Sequence, residues 1–168
     1  MSSVELENRL YNSAAALYIF QSVCVFMSLE NGLFRWSLSA LTYIILLLLV
    51  VKLFLSKYFL REFLTILVLL VFGVYTFYAT SDSSLMFFIA FIICAKHIDI
   101  KHTLKVTLRT FLVSISLGVI FYYAGISPDI IKYKSDGTPV HSYGFSNPNS
   151  LALIVLQPIM LWIFFKYS

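Results

Sequence analysis

Apolar residues occur in long runs along this chain, and short polar segments separate the runs. Because a helix needs roughly 20 largely apolar residues to cross a bilayer, runs of that kind predict membrane-spanning helices. The second run contains the most apolar stretch, YIILLLLVV, whereas the fourth has about half the length of a normal crossing. We predict six spans, at residues 11–28, 37–55, 62–79, 85–95, 104–123 and 150–165.

One polar segment is longer than the others and lies between the fifth and sixth runs, at residues 124–149. Asp136 and Gly137 within it are typical of a turn. Loops longer than about 12–15 residues are more often functional than merely connective. The pattern therefore predicts an all-α, polytopic helix bundle that forms one membrane domain over residues 1–168, with a single sizeable loop.

The composition supports the membrane class. Hydrophobic residues make up 60% of the chain and charged residues 12%, whereas a soluble domain carries about 25% charged residues. The net charge of +4 is scattered between apolar runs, so no nucleic-acid partner is expected. Cys24 and Cys94 lie inside apolar runs, and their spacing predicts neither a disulfide framework nor a metal site. No cofactor is expected.

The basic residues predict the orientation through the positive-inside rule. If the N-terminus is cytoplasmic, eight basic residues lie inside and three outside. The inner residues are Arg9, Lys52, Lys57, Arg61, Lys96, Lys101, Lys105 and Lys166, and the outer ones are Arg35, Lys132 and Lys134. Both termini are therefore predicted in the cytoplasm of a cell membrane, with the long loop outside. Lys52 is expected to extend from its span to the interface, and Arg109 is expected either to do the same or to pair with another residue.

The end of the loop, VHSYGFSNPNS at residues 140–150, is chemically the most varied stretch. Asn147 followed by Pro148 predicts a helix N-cap, and Asn149 is the alternative cap. Gly144 and Phe145 predict a turn whose aromatic ring returns to the membrane interface, or else a close approach of the backbone to a ligand on which the ring stacks.

His141 is the candidate for acid–base chemistry in this stretch. It is either a solvated loop histidine or a general base, because the imidazole pKa lies near neutral pH. Ser142 and Tyr143 add hydroxyl groups beside it. A Ser-His nucleophile pair is not predicted, since adjacent residues rarely point at each other and no acidic partner is evident from the sequence.

The string HSYGFSNPNSLAL, after a polar loop and at the start of a span, resembles a known signature. It is similar to the outer loop and following helix of the O-antigen ligase and polysaccharide-polymerase superfamily. Within that superfamily it most resembles the oligosaccharide repeat-unit polymerases of capsule and exopolysaccharide synthesis. The match covers about ten residues, and it departs from the pattern at Val140, where the family usually has Arg. Members typically have ten or more spans, so the chain is expected to be an N-terminal part of such a protein.

The resemblance implies glycosyl transfer between undecaprenyl-diphosphate-linked oligosaccharides at the outer face of a bacterial plasma membrane. A base would take the acceptor proton, and cations would stabilise the departing diphosphate. His141 is the catalytic candidate. The substrate-binding candidates are Lys132, Lys134, Ser142, Tyr143, Gly144, Phe145, Asn147 and Asn149.

Other functions stay open at this point. Six spans also suit a transporter or channel subunit built from repeats. A third possibility is a non-catalytic partner of a polysaccharide-assembly complex in the bilayer. Such complexes would also supply membrane-protein partners for a polymerase. Whether this chain is itself an enzyme is left undecided by its sequence.

Overall fold

The fold is helical, as the sequence predicts. The computed structural model describes residues 3–27, 29, 32–80, 84–133, 135 and 137–167. Those residues form six α-helices and one two-stranded antiparallel sheet. The elements are α1 (Ser3–Val25), α2 (Gly32–Leu55), α3 (Leu60–Thr80), α4 (Ser84–Cys94), α5 (Ile100–Tyr123), β1 (Lys132–Tyr133), β2 (Pro139–Val140) and α6 (Pro148–Tyr167). The all-α class is confirmed.

Four of the described helices are long and apolar enough to cross a membrane, so the chain is a helical membrane protein. They are Leu33–Leu55, Leu60–Thr80, Ile100–Tyr123 and Pro148–Lys166. Helix α4 has 11 residues, which is about 16 Å of helix against a hydrocarbon core about 30 Å thick. Helix α1 has 23 residues but begins with a polar stretch. Crossings by α1 and α4, and the cytoplasmic position of both termini, stay predictions.

Contacts divide the chain into two compact units. The first unit comprises Met1–Ala15 and Ile44–Asp99, and the second comprises Ala16–Tyr43 and Ile100–Ser168. Helices α1 and α2 each contribute one part to either unit. The single membrane domain over residues 1–168 stays a prediction.

In the first unit, α3 and α4 pack closely against each other. Gly73 permits the approach, because a Cβ atom there would lie 3.3 Å from Cδ1 of Ile89. The side chain of Lys52 is fully buried and lies 3.5 Å from a carboxylate oxygen of Glu7. The expectation that Lys52 extends to the interface is therefore wrong, since its ammonium group finds partners within the protein instead.

The core of the second unit combines helices with the long loop. Buried residues from α1, α5, α6 and the flanking segments form it: Val23, Cys24, Met27, Phe111, Phe145 and Ile154. Phe145 belongs to the loop and is completely buried. The loop is thus part of the packed structure of this unit, and its end has a defined shape.

Candidate functional site

The loop after α5 folds back as a hairpin. Helix α5 ends at Tyr123 and is followed by a left-handed glycine, Gly125, with φ of 72°. The N–H of Ile126 donates to the carbonyl of Phe121 at 2.9 Å, which is the bond of a Schellman C-cap. Strands β1 and β2 then pair with Lys132 opposite Val140. The hairpin brings the segment before β1 next to the segment after β2.

Asp129 is the centre of the polar contacts between those two segments. Its Oδ2 lies 2.5 Å from Nδ1 of His141. Its Oδ1 accepts hydrogen bonds from the backbone N–H groups of Ser142 at 2.8 Å and Tyr143 at 3.0 Å. The hydroxyl of Ser142 lies 3.2 Å from the same oxygen and accepts the N–H of Ile130 at 2.8 Å. One carboxylate therefore organises the whole turn.

These contacts lower the pKa of the Asp129 carboxyl below its ordinary value. The main cause is the hydrogen bond with His141, and burial partly opposes it. The N–H groups of Ser142 and Tyr143 and the Ser142 hydroxyl lower the pKa further. Asp129 consequently stays ionised at neutral pH, where it can orient the His141 ring and balance a positive charge on it.

His141 is held at one nitrogen and open at the other. The carboxylate of Asp129 fixes Nδ1, and among the described residues no atom hydrogen-bonds Nε2. The side chain is 41% exposed, compared with 16% for Asp129. The Tyr143 ring lies 5.8 Å from the imidazole between centroids. The arrangement can present an oriented imidazole nitrogen to a molecule at the surface.

The turn that carries His141 is anchored in the core of the second unit. Tyr143 and Gly144 both have positive φ, at 48° and 85°. The Gly144 carbonyl accepts a hydrogen bond of 2.6 Å from the hydroxyl of Ser127. The N–H of Ser146 donates to the carbonyl of Phe26 at 2.7 Å. The prediction of a turn at Gly144 and Phe145 is confirmed.

Asn147 caps α6, so the first of the two capping alternatives is confirmed. Its side-chain oxygen accepts the N–H of Asn149 at 3.0 Å, and helix α6 begins at Pro148. Pro at the first helical position lacks the N–H that would otherwise be unsatisfied there. Asn149 itself lies exposed in the first turn.

The predicted site residues fall into two sets. Ser142, Gly144 and Phe145 are buried, where they hold the shape of the turn, whereas His141 and Tyr143 reach the surface. Lys132 is exposed on the hairpin. Lys134 lies outside the described residues. The substrate-binding roles assigned to these residues stay predictions.

Asp129 is the residue that sequence reasoning missed, and the expectation that His141 has no acidic partner is wrong. Asp129 carries no local signal of this role, because 12 residues separate it from His141. The available signal was the Asp-Gly pair at 136–137. If that pair is taken as the tip of a hairpin, residues 129–131 fold back toward residues 141–143.

The chain was compared with protein-family models, with curated proteins and with solved structures, and none of them matches it.

Proposed function

We propose that the chain is a membrane glycosyl-transferring polymerase, or the N-terminal part of one. It would join lipid-diphosphate-linked oligosaccharide repeat units in capsule or exopolysaccharide synthesis. The observation that carries the proposal is the pairing of His141 with Asp129, in which no described residue hydrogen-bonds Nε2. The motif at residues 140–150, with its resemblance to repeat-unit polymerases, supplies the reaction class.

In the proposed reaction, the terminal sugar hydroxyl of one lipid-linked oligosaccharide attacks the anomeric carbon of another. Nε2 of His141 takes the hydroxyl proton as the new C–O bond forms. The bond between the anomeric carbon and the diphosphate oxygen breaks, and its electron pair leaves with undecaprenyl diphosphate. Asp129 acts as a positioning residue, because it holds Nδ1 and stabilises the imidazolium.

The leaving diphosphate needs nearby positive charge. Lys132 on the hairpin is the described candidate, and Lys134 is proposed from the sequence alone. A lysine supplies a point charge, whereas an arginine would bind two phosphate oxygens at once. The proposal places this loop on the outer face of a bacterial plasma membrane, with six crossings and both termini cytoplasmic. Proteins of the same assembly pathway would be its membrane partners.

The test uses the purified chain in nanodiscs with undecaprenyl-diphosphate-linked oligosaccharides isolated from capsule-producing bacteria. Transfer releases undecaprenyl diphosphate and forms a lipid-linked product two repeat units long, and mass spectrometry detects both. We expect His141→Ala to lower the transfer rate by about 10²- to 10⁴-fold.

His102→Ala is the matched control, because His102 is an exposed histidine in the first turn of α5. It should transfer at the wild-type rate. Equal rates for His141→Ala and wild type would remove His141 from the reaction. If the wild-type chain releases no undecaprenyl diphosphate from any donor tested, glycosyl transfer by this chain alone is contradicted.

A further inference from the structure

A cavity of about 400 Å³ lies within the second unit, between the C-terminal half of α1 and the first turns of α2. Its wall combines polar groups from Gln21, Arg35 and Thr42 with the apolar side chains of Met27 and Phe34. Small-molecule sites in proteins commonly measure about 300–1,000 Å³. The cavity is therefore large enough to hold the headgroup of a lipid.

The cavity has a preformed polar wall. The side-chain amide of Gln21 on α1 donates to the carbonyl of Leu38 at 2.8 Å and to the hydroxyl of Thr42 at 2.6 Å. Both acceptors belong to α2, so these bonds tie the two helices together beside the cavity. A wall held in this way loses little freedom when a ligand binds.

Arg35 supplies positive charge to this cavity. The residue is exposed, and no side chain in the described part of the chain forms an ion pair with its guanidinium. It lies in the first turn of α2, which has no acidic residue in that turn. The helix dipole disfavours a cation at this end. An anion bound at Arg35 would supply a counter-charge that the described residues do not provide, and it would offset the unfavourable dipole.

The surroundings of Arg35 indicate that the anion belongs to a lipid. Arg35 is the third residue of the candidate span Leu33–Leu55. Trp36 beside it is 79% exposed and Tyr43, two turns further along, is 73% exposed. An exposed Trp at the end of a span, as at Trp36, is typical of the membrane interface, which is the depth of lipid phosphates. Tyr43 lies near the middle of the span. A second cavity of about 460 Å³ is lined by the same Arg35, Trp36 and Tyr43.

We propose that this cavity binds the phosphate headgroup of an anionic membrane lipid, with the Arg35 guanidinium as the cation. A guanidinium can donate two parallel hydrogen bonds to a phosphate, which suits it to this role. The apolar side chains of Met27 and Phe34 cover the part of the lipid next to the headgroup. The site requires no glycosyl transfer and goes beyond the proposed function.

The experiment measures lipid binding to the purified, delipidated full chain by native mass spectrometry in detergent. The probes are dioleoylphosphatidylglycerol and dioleoylglycerol, which share their acyl chains and differ in the phosphate-bearing headgroup. We expect Arg35→Gln to bind phosphatidylglycerol about tenfold more weakly than wild type, as the loss of a charge-assisted hydrogen bond predicts. Binding of dioleoylglycerol should be unchanged.

Two further variants make the result specific. Arg109→Gln removes the same charge from an exposed arginine on α5 that does not line the cavity, and it should bind like wild type. Ser39→Phe keeps the charge but fills the space, because Ser39 lines both cavities. This variant should also bind phosphatidylglycerol more weakly.

Three outcomes would overturn the proposal. Equal phosphatidylglycerol binding by Arg35→Gln and wild type would exclude Arg35 as the cation. Equal wild-type affinity for both probes would exclude recognition of the phosphate. Displacement of phosphatidylglycerol by millimolar inorganic phosphate would identify a free-anion site instead of a lipid site. No outcome depends on transfer activity, so a failure here is separate from a failure of the proposed function.

Discussion

Glu7 in the first unit and Asp129 in the second each belong to a polar network, and the two networks differ in whether a polar atom stays available at the surface. In the first unit, Glu7 is paired with a completely buried lysine, Lys52. The Lys52 ammonium also donates to the hydroxyl of Ser56 and to the carbonyl of Lys96, both at 2.8 Å. Two of its three N–H groups are therefore hydrogen-bonded inside the protein, and the ammonium also lies 3.5 Å from the Glu7 carboxylate.

The network around Asp129 in the second unit differs because it includes a side chain that reaches the surface. Asp129 is satisfied by His141 and by two backbone N–H groups. Among the described residues, however, His141 is hydrogen-bonded at one ring nitrogen only, and its side chain is 41% exposed. A histidine in this arrangement can exchange a proton with a molecule from outside, whereas the buried Lys52 cannot.

A buried charged residue such as Lys52 is therefore not by itself evidence of a functional site. An ionisable residue within a candidate span is by default a hypothesis of function. For Lys52, two hydrogen bonds and the ion pair with Glu7 surround the ammonium group, and a structural role explains it. The functional-site hypothesis belongs instead to the Asp129–His141 pair, where the exposed imidazole can still bind a molecule from outside.

The largest expected effect comes from breaking the buried network of Glu7 and Lys52. Lys52→Ala leaves the carboxylate of Glu7 buried without its cation, and loss of one partner of a buried pair typically costs about 3–5 kcal/mol. We expect a decrease of that size in the free energy of unfolding, measured by reversible unfolding in mixed detergent micelles.

Lys57→Ala is the matched control, because Lys57 is an exposed lysine five residues further along. A surface substitution of this kind should change the free energy of unfolding by less than about 0.5 kcal/mol. If the two variants lose the same free energy of unfolding, the buried Lys52–Glu7 network does not stabilise the fold more than an exposed lysine does.

The sequence predicted the helices well, because apolar runs carry their own signal. Spans at 37–55 and 104–123 correspond to α2 and α5, and Asn147 marks the start of α6 as expected. The position of Lys52 was not predictable in the same way. Its burial depends on Glu7, which lies 45 residues earlier, and the pattern around Lys52 contains no trace of that partner.

The sequence predicted one residue of the central pair of the candidate site, His141, but not the other, Asp129. His141 stood out because its residue type is informative by itself. Asp129 did not, since its role arises from the hairpin that brings it to His141. The same holds for Phe145, whose burial depends on space left by Gly118 in α5. Long-range contacts of this kind are set by packing, and local periodicity carries no record of them.

The next prediction concerns the packing of Phe145 against Gly118, which anchors the turn that carries His141. A Cβ atom at Gly118 would lie 2.9 Å from Cζ of the buried Phe145 and 3.1 Å from Cε of Met27. Overpacking costs about 1–3 kcal/mol, and Ala regains up to about 1 kcal/mol of helix propensity. We expect Gly118→Ala to lower the free energy of unfolding by about 1–2 kcal/mol.

Gly73→Ala is the matched substitution in the first unit. Its nearest neighbour, Cδ1 of Ile89, would be 3.3 Å away and is the end of a flexible side chain. The gain in helix propensity should then make Gly73→Ala neutral or slightly stabilising. Equal destabilisation by both changes would mean that the Phe145 anchor is no tighter than ordinary helix packing.

The smallest expected effect is the response of the Asp129 network to low pH. Contacts with His141 and with the N–H groups of Ser142 and Tyr143 lower the pKa of Asp129 below its ordinary value of 3.8. A group whose pKa is lowered by folding contributes stability that is complete above the ordinary value and lost as pH falls through the lowered one. We therefore expect amide protection of Ser142 and Tyr143 to hold down to about pH 4 and to decrease below it.

Hydrogen exchange, corrected for the intrinsic effect of pH on its rate, measures this protection. Asp129→Asn should expose the same amides at every pH, because a neutral side chain binds them more weakly and has no carboxyl to titrate. A midpoint above 3.8 in the wild-type chain would contradict the lowered pKa. Unchanged protection in Asp129→Asn would show that the turn is held by its core anchor at Phe145. His141 would then lose its orienting partner without losing its place.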